Sequence, residues 1–212
     1  MCAGYWGVLC AVIALSGVTP LLADTRPRLQ PIKQLQMAGI ERQTLDYSCG
    51  AAALTIMFNR YFGDAVKEQD VLADIVFRLS SEEAQARMVE GFSMLDLKQT
   101  AERLGYQAEG LSLGREQVAR LRGPVIILLR RKTLNHFVVL KGVGQGKAFL
   151  ADPARGHVRV PLHELFEEWQ GETLTIFRVT SDLPDRHGLN IPRGSGVAPE
   201  RETVRALQQA RY

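Results

Sequence analysis

The run Tyr47-Ser48-Cys49-Gly50-Ala51-Ala52-Ala53-Leu54-Thr55-Ile56-Met57-Phe58-Asn59-Arg60-Tyr61-Phe62-Gly63 decides how the chain is read. Ser48 suits an N-cap, the small and apolar residues after it predict a buried helix, and Gly63 ends that helix. Cys49 then falls in the first turn, where backbone N–H groups lack intrahelical acceptors and the positive end of the macrodipole favours a thiolate. The same position suits a plain packing role, since Cys49 is small and apolar like Ala51 and Ala53 beside it. Alone, the residue does not choose between these roles.

Downstream, residues 67–79, 81–90 and 93–104 predict further helices, the last with apolar Met94, Leu95, Leu97, Ala101 and Leu104 before Gly105. The composition then shifts to β-branched runs at 124–129, 136–140, 148–150, 157–160 and 174–179, with a short helix over 162–169. Helices followed by strands predict an α+β fold, a helical N-terminal half packed on a C-terminal antiparallel sheet. From Ser181 the chain turns polar and rich in Pro, Gly and Arg, so 181–212 reads as a flexible tail with a short helix at 199–210.

Upstream, residues 1–23 contain no Asp, Glu, Lys or Arg, so all 26 basic and 23 acidic residues fall in 24–212. The apolar run Trp6–Leu15, the break at Ser16–Pro20 and the small Ala23 before Asp24 predict a secretory signal peptide over 1–23. Membrane contact is expected only if that segment is retained as an anchor. Residues 24–39, with Pro27, Pro31 and Gly39, read as an extended lead-in, and 40–180 as the folded domain. Removal of the signal takes Cys2 and Cys10 with it and leaves Cys49 as the lone cysteine of a periplasmic protein, where cysteines usually pair.

Of the 212 residues, 46% are hydrophobic and 23% charged, as in a globular protein. The net charge of +3 is scattered and argues against nucleic-acid binding. Gly142-Val143-Gly144-Gln145-Gly146-Lys147 looks like a phosphate loop but lies between strands, without the helix start that holds a phosphate. One cysteine and no close His/Cys pair predict no metal site, and no cofactor is expected.

A thiol nucleophile needs a base and an oxyanion donor. Gln43, six residues before Cys49, can fold its amide over the helix start beside the Cys49 N–H, although it also suits a solvated loop. Among His136, His157, His163 and His187, only His136 opens a strongly apolar strand. If the hairpin around Gly142–Gly146 is centred on Gly144, His136 lies directly opposite Asp152 with both side chains on one face. Asp152 would accept from the imidazole Nδ1–H, fixing its tautomer and stabilising the imidazolium. Asp152-Pro153 also suits a strand-ending turn, and both roles can hold together.

These residues resemble the papain-like cysteine peptidases that clip double-glycine leader peptides in bacteriocin exporters. The likeness runs from Gln43 and Tyr47-Ser48-Cys49-Gly50 through Gly91-Phe92-Ser93 and Leu104-Gly105 to His136-Phe137-Val138-Val139 and Asp152-Pro153. It implies a papain-like fold with Cys49 as nucleophile, His136 as general base and acid, Asp152 as orienting carboxylate and Gln43 as oxyanion-hole donor. The signal-like start is similar to the stand-alone periplasmic type found with functional-amyloid secretion systems. The expected activity is a periplasmic cysteine endopeptidase acting on an exported protein or peptide, with secretion-system components as further partners. The alternatives are a catalytically silent papain-like module that holds a secretion substrate, and a thiol-dependent transpeptidase or amidase.

Overall fold

A computed structural model describes residues 31–131, 135–178 and 186–191. The signal-peptide reading of 1–23, residues 24–30 of the lead-in and most of the tail lie outside these residues. Among the described residues no helix is long and apolar enough to cross a membrane.

In the helical half, the short α1 (Ile32–Gln36) is followed by α2 (Cys49–Ile56), which continues as a π-helical turn over Met57–Tyr61. Next come α3 (Glu68–Val76), α4 (Ser81–Glu90) and α5 (Met94–Arg103). Every residue of α2 is buried. Its alanines let neighbouring elements approach closely, while Leu54, Ile56 and Phe58, all fully buried, supply apolar contact of about 1.5–3 kcal/mol per side chain. Helices α4 and α5 start at reciprocal capping boxes. Ser80 pairs with Glu83 and Ser93 with Asp96, each hydroxyl accepting from the third helical N–H while the carboxylate accepts from the capping residue's N–H.

Six antiparallel strands follow: β1 (Gln107–Ser112), β2 (Val125–Leu129), β3 (His136–Gly144), β4 (Lys147–Asp152), β5 (Gly156–Pro161) and β6 (Glu172–Phe177). Their order in the sheet is β1-β6-β2-β3-β4-β5, and α6 (Leu162–Glu168) joins β5 to β6. One face, with Ile126, Phe137, Val139, Ala151 and Leu174, packs on α2 and α5, and α3 closes the same core from behind those helices. The other, with Ile127, Leu129, Val138, Leu140 and Leu150, packs on Leu165 of α6 and on Trp169. Burial of both faces explains why Val125–Leu129 and Phe137–Leu140 are continuous apolar runs rather than alternating ones.

This is the α+β architecture expected, with four corrections. The lead-in contains α1, which lies against β5. Strand β1 was not expected, because its sequence, Gln107-Ala108-Glu109-Gly110-Leu111-Ser112, buries only Ala108 at the sheet edge and carries no β-branched residue. Residues 186–191, expected within a flexible tail, are seated on the domain: Leu189 is fully buried, and the Gly188 N–H donates to the Arg60 carbonyl at 2.7 Å. Finally, the β3–β4 hairpin turns at Gln145-Gly146, both at positive φ, rather than at Gly144. Its ladder runs Gly144↔Lys147, Val143↔Ala148 and Gly142↔Phe149, then shifts at a bulge to Leu140↔Leu150 and Val139↔Ala151.

Candidate active site

The side chain of Ser48 does not cap α2. Its hydroxyl turns back on its own loop, donating to the Leu45 carbonyl and accepting from the Leu45 N–H, each at 3.1 Å. The opening amides of α2 therefore carry no side-chain cap, which leaves them for another acceptor. Cys49, the first residue of α2, is a free cysteine with 2% exposure. Its Sγ reaches the start of β3, where it accepts from the Phe137 N–H at 3.5 Å.

His136 opens β3, and its Nε2 lies 2.9 Å from Oδ1 of the fully buried Asp152. Both the facing nitrogen and the register differ from expectation. Continuing the observed ladder past Val139↔Ala151 places Asp152 opposite Val138, so His136 meets it diagonally, two residues on along the same face. Nε2 is the nitrogen turned to the carboxylate, which leaves Nδ1 outside that bond. Burial works against a charged imidazole. The hydrogen bonds and charges of Asp152 and Cys49 outweigh it, so the His136 pKa stands above its ordinary 6.5.

Asp152 is overdetermined. Oδ1 also accepts from the Ala154 and Arg155 N–H groups at 2.8 and 3.2 Å, and Oδ2 accepts from Arg155 Nε at 2.7 Å. Arg131 comes within 4.0 Å of Oδ2. Burial would raise its pKa, but the bond to and charge of His136, then Arg155 and the Ala154 N–H, hold this carboxyl far below the usual carboxylate range. The expected strand-ending turn and the expected pairing with histidine thus coexist in one side chain.

Gln43 lies beside this turn, its backbone N–H donating to the Pro153 carbonyl at 3.2 Å. Its Nε2 donates to the Leu45 carbonyl at 3.1 Å, leaving one amide hydrogen uncommitted, and its Oε1 is buried without a partner among the described residues. The loop is tied down on its other side by Glu68, which accepts from Thr44 Oγ1 at 2.9 Å and from Thr44 N–H at 3.4 Å. Sequence reasoning passed over Glu68, because an acidic residue at a helix start reads as a partner of the helix dipole. Phe92 meets the Tyr47 ring edge-on at 5.9 Å, which joins the start of α5 to the loop before Cys49.

The other histidines lie away from this cluster: His157 bonds Lys141 and the Ala38 carbonyl, His163 is exposed, and His187 sits on the Tyr61 ring. Among the described residues no group of three or more His, Cys, Asp or Glu side chains gathers as metal ligands would.

The sequence profile of the peptidase C39 family matches residues 38–181. A probable functional amyloid protease, FapD, of Pseudomonas aeruginosa is 33% identical over 159 residues, covering 75% of this chain and 68% of that protein. The protein of the same description from Pseudomonas fluorescens is 26% identical over 171 residues, covering 81% and 73%. Among solved structures, a double glycine motif protease from an AMS/PCAT transporter, in complex with its leader peptide, superposes with a TM-score of 0.54. It is 25% identical, and the match covers 66% of this chain and 91% of that one.

Proposed function

The chain belongs to the peptidase C39 family of papain-like cysteine peptidases, and from that premise we propose that it cleaves an exported protein or peptide through Cys49, His136, Asp152 and Gln43. The observation that carries this reading is His136 paired through Nε2 with the buried Asp152 carboxylate at the start of β3, where the Cys49 thiol also reaches and accepts from the N–H of the next residue, Phe137. In this scheme Cys49 attacks the scissile carbonyl as a thiolate, with His136 carrying the proton on Nδ1. The oxyanion sits between the Cys49 N–H and the free Gln43 amide hydrogen, both donors fixed before reaction. His136 then protonates the leaving amine, and water, deprotonated by His136, hydrolyses the thioester. Asp152 keeps the ring oriented and charged through the first half of the cycle.

The relatives described as functional amyloid proteases, and the transporter's double glycine motif protease in complex with its leader peptide, support a polypeptide substrate, which we take to be exported through a secretion system. We assign residues 1–23 as an export signal, 40–180 as the catalytic domain and the periplasm as the site of action. The test is mass spectrometry of exported proteins in cells carrying the wild type or Cys49→Ser, followed by digestion of the affected protein with purified enzyme. New mature termini should vanish with Cys49→Ser; a purified Cys49→Ala protein that still cut the substrate would overturn the assignment.

A further inference from the structure

The turn that holds Asp152 also forms one wall of an open cleft of about 890 Å³ between α1 and β5. Lys33, Arg155, His157 and Arg159 line it together with the apolar Ile32 and Met37, and no carboxylate does so among the described residues. Arg155 is paired with Asp152, and burial, then the charge of Lys141 behind it, pushes His157 towards its neutral form. Lys33 and Arg159 stand exposed on the wall with no carboxylate facing them among the described lining residues, so the cleft carries positive charge that an anionic occupant complements.

We propose that this cleft binds an acidic segment of the polypeptide substrate, rests on the reading of the neighbouring site as a peptidase, and helps to select what is cut. Arg155 links the two sites, since it lines the cleft and donates to Asp152. A polypeptide fits better than a membrane surface: the wall is concave, its volume suits a few residues of chain, and its mixed lining matches carboxylates interleaved with apolar side chains. Lys33 and Arg159 are exposed and touch none of the groups assigned to the reaction.

The test is fluorescence anisotropy with fluorescein-labelled octaglutamate and the full-length Cys49→Ala protein, so that binding is read without cleavage. Binding should weaken steeply between roughly 0.02 M and 0.3 M salt. It should weaken by about tenfold or more in Lys33→Glu/Arg159→Glu, and by less in Lys33→Gln/Arg159→Gln. A control with the same net charge, Arg115→Glu/Arg122→Glu, should bind as the parent does. Equal affinity in the cleft variants, equal loss in the control, or equal binding of octalysine would overturn the proposal. So would binding of anionic phosphatidylglycerol vesicles that the cleft reversal abolishes when octaglutamate does not bind. Loss of peptidase activity in Cys49→Ser with octaglutamate binding intact separates this proposal from the assignment of the catalytic groups.

Discussion

His136 and Asp152 meet on the diagonal of the β3–β4 ladder because one extra residue, Lys141, is accommodated between Leu140 and Gly142. In the register set by the turn, Gly142↔Phe149 would continue to place Asp152 opposite Val139, on the other face of the sheet from His136. The bulge shifts the count by one residue and brings both side chains to the same face. Gly142 makes the bulge feasible: its φ is +146°, and an added Cβ would lie 2.9 Å from Ile191 Cδ1.

Gly142→Ala should therefore cost about 1–3 kcal/mol from backbone strain and crowding, a fall in Tm of roughly 2–10 °C. Activity should fall further than stability accounts for, because the bulge sets the His136–Asp152 contact. Thermal melts and kcat of the purified variant at a temperature where it is fully folded check both parts. Unchanged kcat there would show that the bulge does not position the pair.

Asp152 offers a cleaner separation of orientation from charge. Asp152→Asn keeps an acceptor for His136 Nε2–H but loses the charge that holds the His136 pKa up, so the alkaline limb of the activity profile should move to lower pH. Asp152→Ala loses both, with a fall in kcat of about 10²–10⁴-fold. The pair also leaves a stability signature. His136, its folded pKa raised, stabilises fully below its ordinary 6.5 and loses that contribution as pH rises through the folded value. Asp152, its folded pKa depressed, stabilises above its ordinary 3.8 and loses that contribution as pH falls through the folded value. The difference in Tm between wild type and Asp152→Asn should peak between about pH 4 and 6.5 and shrink on either side.

Gln43→Ala removes one donor from the proposed oxyanion site and should lower kcat by about 10²–10³-fold with little change in KM. Glu68→Gln, which weakens the anchor on Thr44, should give a smaller fall in kcat in the same direction, since it acts only through the position of the loop. Steady-state kinetics on one substrate check both. An effect of Glu68→Gln on KM alone would place that residue in substrate binding instead.

What the sequence revealed, and what it hid, follows from how many residues encode each feature. Helix α5 was legible from its apolar positions Met94, Leu95, Leu97, Ala101 and Leu104 before Gly105, and β2 and β3 from their β-branched apolar runs. The pairing of His136 with Asp152 was legible only as parity on one face. The true turn at Gln145-Gly146 and the bulge at Lys141 depend on single residues that hydrophobic patterning does not weigh. Strand β1 escaped because edge pairing with β6 uses backbone groups that any sequence supplies. Arg155 and Glu68 escaped because a charged residue in a turn or at a helix start is ordinarily solvated, and only the fold brings Asp152 and Thr44 against them.

Leu189 tests how much of the C-terminal region belongs to the catalytic fold. It is fully buried in the same core as Cys49, Phe137 and Ala151, although Gly188 and Asn190 flank it in sequence. The segment around it bridges two parts of the site's framework: Gly188 N–H bonds Arg60 in the π turn that continues α2, and Ile191 lies against Gly142 at the β3 bulge. Leu189→Ala removes a buried side chain and should destabilise by about 2–5 kcal/mol, lowering Tm by roughly 5–15 °C. Phe77→Ser, at a position 89% exposed, should change stability by no more than about 0.5 kcal/mol in either direction. A chain ending at residue 185 should lose at least as much stability as Leu189→Ala, measured by the same melts. A truncated chain as stable as the full one would show that the core closes without this segment.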